Sequence, residues 1–172
     1  KRLIIGFGVL IAFLIATNLL ALQRLAGLMA DMNTLVDDRM VKVNEANHSM
    51  EIALANGRAL RGILLVDTAE ERKKIKSEVE EFRKANTEIL TKMEQQIHSE
   101  EGKRLLATIN QRRSAFHEIY PRFFDAAERS VSDAKLILTK EFAPANDAFI
   151  ASLKAMVAFQ ESAMHKAVEH DR

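Results

Sequence analysis

Arg113 stands where helical spacing calls for an apolar side chain. It interrupts the series Leu106, Ile109, Phe116, Tyr120 and Phe123, whose steps of three and four residues trace one face of a helix. Three other apolar stripes carry a similar intrusion: Asn47 between Val43 and Met50, Asn86 between Phe82 and Ile89, and Ser152 between Phe149 and Met156. Buried polar groups cost free energy unless they are paired, so each of these residues needs a reason. Counted down from the far end of its own helix, Asn47 lies about nineteen residues in, Asn86 and Arg113 about seventeen, and Ser152 about eighteen. At 1.5 Å per residue these depths agree within roughly 3 Å. A permanent cation at one level, ringed by neutral hydrogen-bonding groups, suits a carboxylate. The competing explanation is a purely structural polar layer, with Arg113 reaching out to water or pairing with an acid such as Glu51.

A second set of candidates lies further along the first helical stretch. Arg61 occupies a seam position, Arg58 sits one turn earlier, and Asn56 and Gly57 adjoin them. Tyr120 falls at a height similar to Arg58. Between two paired subunits these arginines would form an anion-binding interface; otherwise they are surface or interface ion-pair residues. Catalytic and metal chemistry find little support. Glu45-Ala-Asn-His48 has the Glu-x-x-His spacing of di-iron bundles, but such a site needs the motif twice and two further glutamates, and no second copy occurs. Glu94 with His98, and Glu161 with His165, fall too far from His48 to join it. There is no cysteine, so thiolate metal sites and thiol nucleophiles are excluded, and no phosphate- or dinucleotide-binding glycine pattern is present. We expect no enzyme activity, no cofactor and no metal.

These side chains require long helices to hold them. The chain has 172 residues with only two prolines and six glycines, which favours an all-α protein. Residues 3–22 carry only Thr17 and Asn18 as polar side chains, and about 20 residues at 1.5 Å each span a bilayer core. Lys1 and Arg2 precede this run, so the positive-inside rule places residues 1–2 in the cytoplasm and residues 23–172 outside. The 4,3 spacing of Val36, Met40, Val43, Asn47, Met50, Leu54, Gly57, Arg61 and Leu64 continues without a linker and predicts one unbroken helix over residues 3–66. Thr68-Ala-Glu-Glu71 matches a capping box and starts a second helix over residues 69–98. A third is expected over residues 101–129. A fourth follows the cap at Ser130 and runs through Leu138, Phe142, Ala145, Phe149, Ser152 and Met156, with Pro144 kinking it or restarting it. Short loops make neighbours antiparallel, giving an up-down-up-down four-helix bundle continuous with an N-terminal transmembrane helix.

The chain carries 25 Lys and Arg against 24 Asp and Glu, well mixed along its length, which argues against a nucleic-acid partner. The order and spacing of several segments resemble one family. They are the basic-flanked apolar run, Asn56-Gly-Arg-Ala-Leu-Arg-Gly-Ile-Leu-Leu-Val-Asp67, Glu101-Gly-Lys-Arg-Leu-Leu106, Arg113-x-x-Phe116 and Phe142-Ala-Pro144. Over essentially its whole length the chain resembles the four-helix-bundle sensor domain of bacterial methyl-accepting chemotaxis proteins.

That resemblance implies a homodimer associated along the first helix. It places the sensor on the periplasmic side of the inner (cell) membrane, with a second span and a signalling region after Arg172. Through that cytoplasmic region it implies a histidine kinase and an adaptor as partners, and it implies small ligands such as amino acids, carboxylates or aromatic acids. Aspartate receptors of the family use first-helix arginines at the dimer interface, where Arg58 and Arg61 are similarly placed, though their spacing differs. The Thr that follows the proline in those receptors is Ala145 here, which counts against aspartate. Other relatives hold a carboxylate inside one bundle, and Arg113, Phe116 and Tyr120 would serve that role. The resulting expectation is a chemoreceptor sensor for a small anionic metabolite. The alternatives are the same bundle on a histidine kinase or a cyclic-dinucleotide enzyme, or a structural bundle without ligand.

Overall fold

The computed structural model of the chain describes residues 2–33 and 39–170, with side chains over residues 8, 11, 13–27, 29 and 39–166. Among these residues there is no strand. The helices are α1 (Arg2–Asn33), α2 (Val41–Ile63), α3 (Ala69–Gln96), α4 (Glu100–Ser114), α5 (Phe116–Arg129), α6 (Val131–Ile137) and α7 (Ala143–His170), with a π-helical segment at Leu138–Phe142. α2 packs on α3 and α7, α4 packs on α3 and α7, and α5 packs on α6 and the π segment. The bundle therefore has four rods: α2, α3, α4 with α5, and α6 with the π segment and α7.

Local chemistry sets the boundaries. Thr68 caps α3 by accepting from the Glu71 amide at 3.2 Å, and the Glu71 carboxylate reaches back to the Thr68 amide at 3.4 Å, so the predicted capping box forms. The Thr68 hydroxyl also donates to that carboxylate, and these bonds hold the Glu71 carboxyl below its ordinary range. Ser99 accepts from the Gly102 amide at 3.2 Å to start α4. A side chain at Gly102 would put its Cβ 2.6 Å from Ile97 Cγ2 and 2.8 Å from Ser99 Oγ, so the tight entry into α4 needs glycine there. Ser130 accepts from the Asp133 amide at the start of α6.

Two elements depart from expectation. The helix expected over residues 101–129 is divided at Ala115. Pro121 lies inside α5, has no N–H for the His117 carbonyl and presses its ring against that turn, so the ladder loosens just ahead of it. Pro144 neither restarts the fourth rod nor breaks it. The segment Leu138–Phe142 widens to π geometry, with the Ala143 amide bonding back to the Leu138 carbonyl. The chain thus passes the proline within a continuous helical run.

The predicted seam of the first rod is also out of phase. Ala46, Ser49, Ile52, Ala53, Asn56, Gly57, Leu60 and Ile63 are the buried face of α2. Met40, Asn47, Leu54 and Arg61 are exposed. The core face mixes the small Ala46, Ser49, Ala53 and Gly57 with Ile52, Leu60 and Ile63, whereas Met40 and Leu54 of the predicted seam point outward and its Met50 and Leu64 pack only partly against the core. In the fourth rod the buried series is Phe142, Asn146, Phe149, Leu153, Met156 and Gln160.

The predicted continuity between residues 3–22 and the bundle crosses residues 34–38, which lie outside the described residues. Among the described residues no helix is long and apolar enough to cross a membrane. Only part of the apolar run 3–22 falls among the described side chains. Those that do are exposed: the consecutive Phe13, Leu14 and Ile15, and beyond them Leu19, Leu20 and Leu22. The Thr17 hydroxyl donates to the Phe13 and Leu14 carbonyls, and Asn18 Nδ2 donates to the Leu14 carbonyl at 2.8 Å.

Candidate functional site

A cavity of about 340 Å³ opens among all four rods. α2 contributes Ala53 and Asn56; α3 contributes Glu80, Arg83, Lys84, Asn86 and Thr87. Arg113 comes from the end of α4, Phe116, His117 and Tyr120 from α5, and Asn146 and Phe149 from α7.

Its apolar wall is a cluster of rings. Phe116 lies 5.6 Å from Tyr120, 5.5 Å from Phe142 and 5.9 Å edge-on from Phe149, centroid to centroid. The break at Ala115 sits at the junction between Arg113 and this cluster. Tyr120 is 3% exposed, and burial pushes its phenol well above the usual tyrosine range against the opposing Arg83 cation. It remains a neutral hydroxyl and accepts from Asn56 Nδ2 at 2.8 Å.

The polar wall is unevenly committed. Arg83 Nη1 holds both Glu80 oxygens, at 2.7 and 2.8 Å, and the guanidinium lies 4.7 Å from the Tyr120 ring centroid. Arg83 and Glu80 thus neutralise each other. Arg113, half-buried, and Lys84 have no ion-pair partner among the described residues. The cavity therefore keeps two cations that no carboxylate among the described residues pairs. Asn86 Oδ1 accepts from Ser49 Oγ at 2.6 Å, a fully buried bond between α2 and α3. Asn146 is buried, yet its amide makes no hydrogen bond among the described residues.

Of the sequence candidates, Asn86, Arg113, Phe116 and Tyr120 come together in this cavity. Four do not. Asn47 is exposed on the outer face of α2, because the seam is rotated from the predicted phase. Arg58 and Arg61 are exposed on that same outer side. Ser152 is buried but lies outside the cavity, its hydroxyl donating to the Phe149 carbonyl at 2.6 Å one turn back. Sequence reasoning missed Arg83, Lys84, Asn146 and Phe149 as cavity residues, and it assigned Asn56 to the Arg58 group. Asn146 was findable: the alternative 4,3 register from Phe142 through Phe149, Leu153 and Met156 passes through it.

One family model, described as a four helix bundle sensory module for signal transduction, matches residues 1–171. The chain belongs to that family. No curated protein and no solved structure matches it. Within the sensory module, this cavity brings polar and aromatic side chains from all four rods to a common space. A second hollow, between α2 and α3, is lined by Asn44, Glu45, His48, Glu88 and Lys92 and lies at the surface. His48 there stands 3.5 Å from Glu51, and no cluster among the described residues could hold a metal ion.

Proposed function

We propose that this sensory module is the extracytoplasmic, non-enzymatic sensor of a bacterial transmembrane chemoreceptor, and that it binds a small carboxylate inside the bundle. The observation that carries the reading is Arg113: a half-buried, unpaired guanidinium beside aromatic rings and buried amides in a cavity of metabolite size. Such a ligand would touch α3, α4, α5 and α7 at once. It would favour whichever arrangement of the rods fits it better, and that difference in affinity is the energy available for signalling. α7 is the mobile partner in this scheme, because the π segment before Pro144 weakens its coupling to α6.

Membrane attachment rests on α1. Phe13, Leu14 and Ile15 are consecutive, so they project in three directions, and no single docked face would cover them. Surrounding lipid would. Thr17 and Asn18 return their hydrogen bonds to their own helix, as polar groups in hydrocarbon must. The exposed Met40 and Leu54, two heptads apart and followed one heptad later by Arg61, supply the homodimer face along the first rod. Output passes through the cytoplasmic part of the receptor to a histidine kinase and its adaptor.

The test is a melting-temperature screen of the 172-residue chain in detergent against small organic acids and amino acids. A true ligand at a hundred times its dissociation constant stabilises by about 2.7 kcal/mol. Arg113→Ala should abolish the shift. An unchanged shift in that variant removes Arg113 as the anchor.

A further inference from the structure

We infer that the ligand bears a hydrogen-bond donor, a hydroxyl or an ammonium group, at the end opposite its carboxylate, and that Asn56 and Asn146 select for it. The inference rests on the carboxylate reading of the cavity and adds the chemistry of the other end. Three buried amides line the cavity, each at least nine-tenths buried: Asn56, Asn86 and Asn146 are 5%, 9% and 8% exposed. What each has left to offer differs. Asn56 spends its Nδ2 on Tyr120, and its Oδ1 is sealed from solvent with no partner. Asn86 spends its oxygen on Ser49, leaving its NH2 group. Asn146 has both ends unspent, and a Cβ added at Gly57, beside Asn56, would lie 3.9 Å from its Nδ2.

The unspent set is therefore weighted to acceptors on the α2–α7 side, while the unpaired cations, Arg113 and Lys84, stand on α4 and α3. A second carboxylate on the amide side would set its oxygens against the Asn56 oxygen, an acceptor that cannot donate to it. A hydroxyl can donate to the Asn56 oxygen and accept from the Asn86 NH2 group, and an ammonium group can donate to the Asn56 and Asn146 oxygens. A buried acceptor without a partner carries a desolvation cost. A ligand donor that draws Asn56 toward the cavity relieves it, so this contact belongs to the liganded arrangement only.

The experiment is calorimetric titration of the 172-residue chain in detergent with butyrate, with butyrate carrying a hydroxyl or ammonium group at carbon 4, and with succinate. At least one donor-bearing probe is expected to bind about tenfold tighter than both butyrate and succinate. Asn56→Leu should abolish the difference in affinity between that probe and butyrate. Asn146→Leu, at a side chain that holds no hydrogen bond in the fold, should reduce the same preference. Butyrate or succinate binding as tightly as every donor-bearing probe overturns the inference while the anion reading stands. Persistence of the preference in both variants overturns the assignment to these residues. Binding by none of the acids overturns the anion reading and this inference together.

Discussion

Two levels of one bundle differ in how their interiors are filled. At the first, Ala46, Leu90, Met93, Leu106, Leu153 and Met156 close on one another, none more than 5% exposed. One to three turns away along α3, α4 and α7, the same rods leave a cavity lined by Asn86, Arg113 and Asn146. Helix type and rod pairing are the same at both levels. What changes is side-chain chemistry: apolar volume seals the first level, while cations and partly satisfied amides hold the second open. The closed level supplies rigidity, and the open level keeps groups whose energy improves only when something binds.

Breaking the closed level should have the largest effect. Leu153→Ala removes a fully buried side chain and should cost about 2–5 kcal/mol in denaturant unfolding, with whatever cavity ligand preference exists retained. Ser49→Ala tests the seam between the levels. It strands the buried Asn86 oxygen and should cost about 1–3 kcal/mol, measured the same way. Arg113→Ala sharpens the contrast, because an unpaired, half-buried cation contributes little to folding. Its stability should stay within about 0.5 kcal/mol of the parent chain even as anion binding is lost.

The smallest effect lies outside both levels, at the α3 cap. The Glu71 carboxyl is held below its ordinary value by its bonds to Thr68. The folded state thus binds that proton more weakly than the unfolded chain does. The stability this contributes is present above the ordinary carboxylate range and lost as pH falls through the folded value. Glu71→Gln should flatten that acid limb of the unfolding midpoint against pH, and an unaltered limb would remove the cap as its source.

The helical architecture was legible because its signals are local. The Thr68–Glu71 box and the Ser130 cap are contiguous residues satisfying neighbouring amides. The rotation of α2 was not legible in the same way. Met40, Leu54 and their neighbours form one apolar stripe and Ala46, Ala53, Leu60 and Ile63 another, and which of them faces inward depends on how closely α3 and α7 approach. That choice is tertiary, and it misplaced Asn47 and Arg61. The division at Ala115 was encoded in Pro121, whose missing amide proton acts on the turn before it. Asn86, Arg113, Phe116 and Tyr120 were recovered because each sits on a stripe whose phase aromatic or β-branched neighbours fix. Asn146 escaped because the fourth rod offers two overlapping registers. Arg83 and Lys84 escaped because a cation beside acids on α3 looks like an ordinary solvated face.

The most direct test of the central claim is a crystal structure of the chain grown with whichever carboxylate raises its melting temperature most. The account predicts the carboxylate on the Arg113 guanidinium, with the rest of the molecule against Phe116 and Phe149 and reaching Asn146. Density for the acid on Arg58 and Arg61, with the cavity empty, would contradict it.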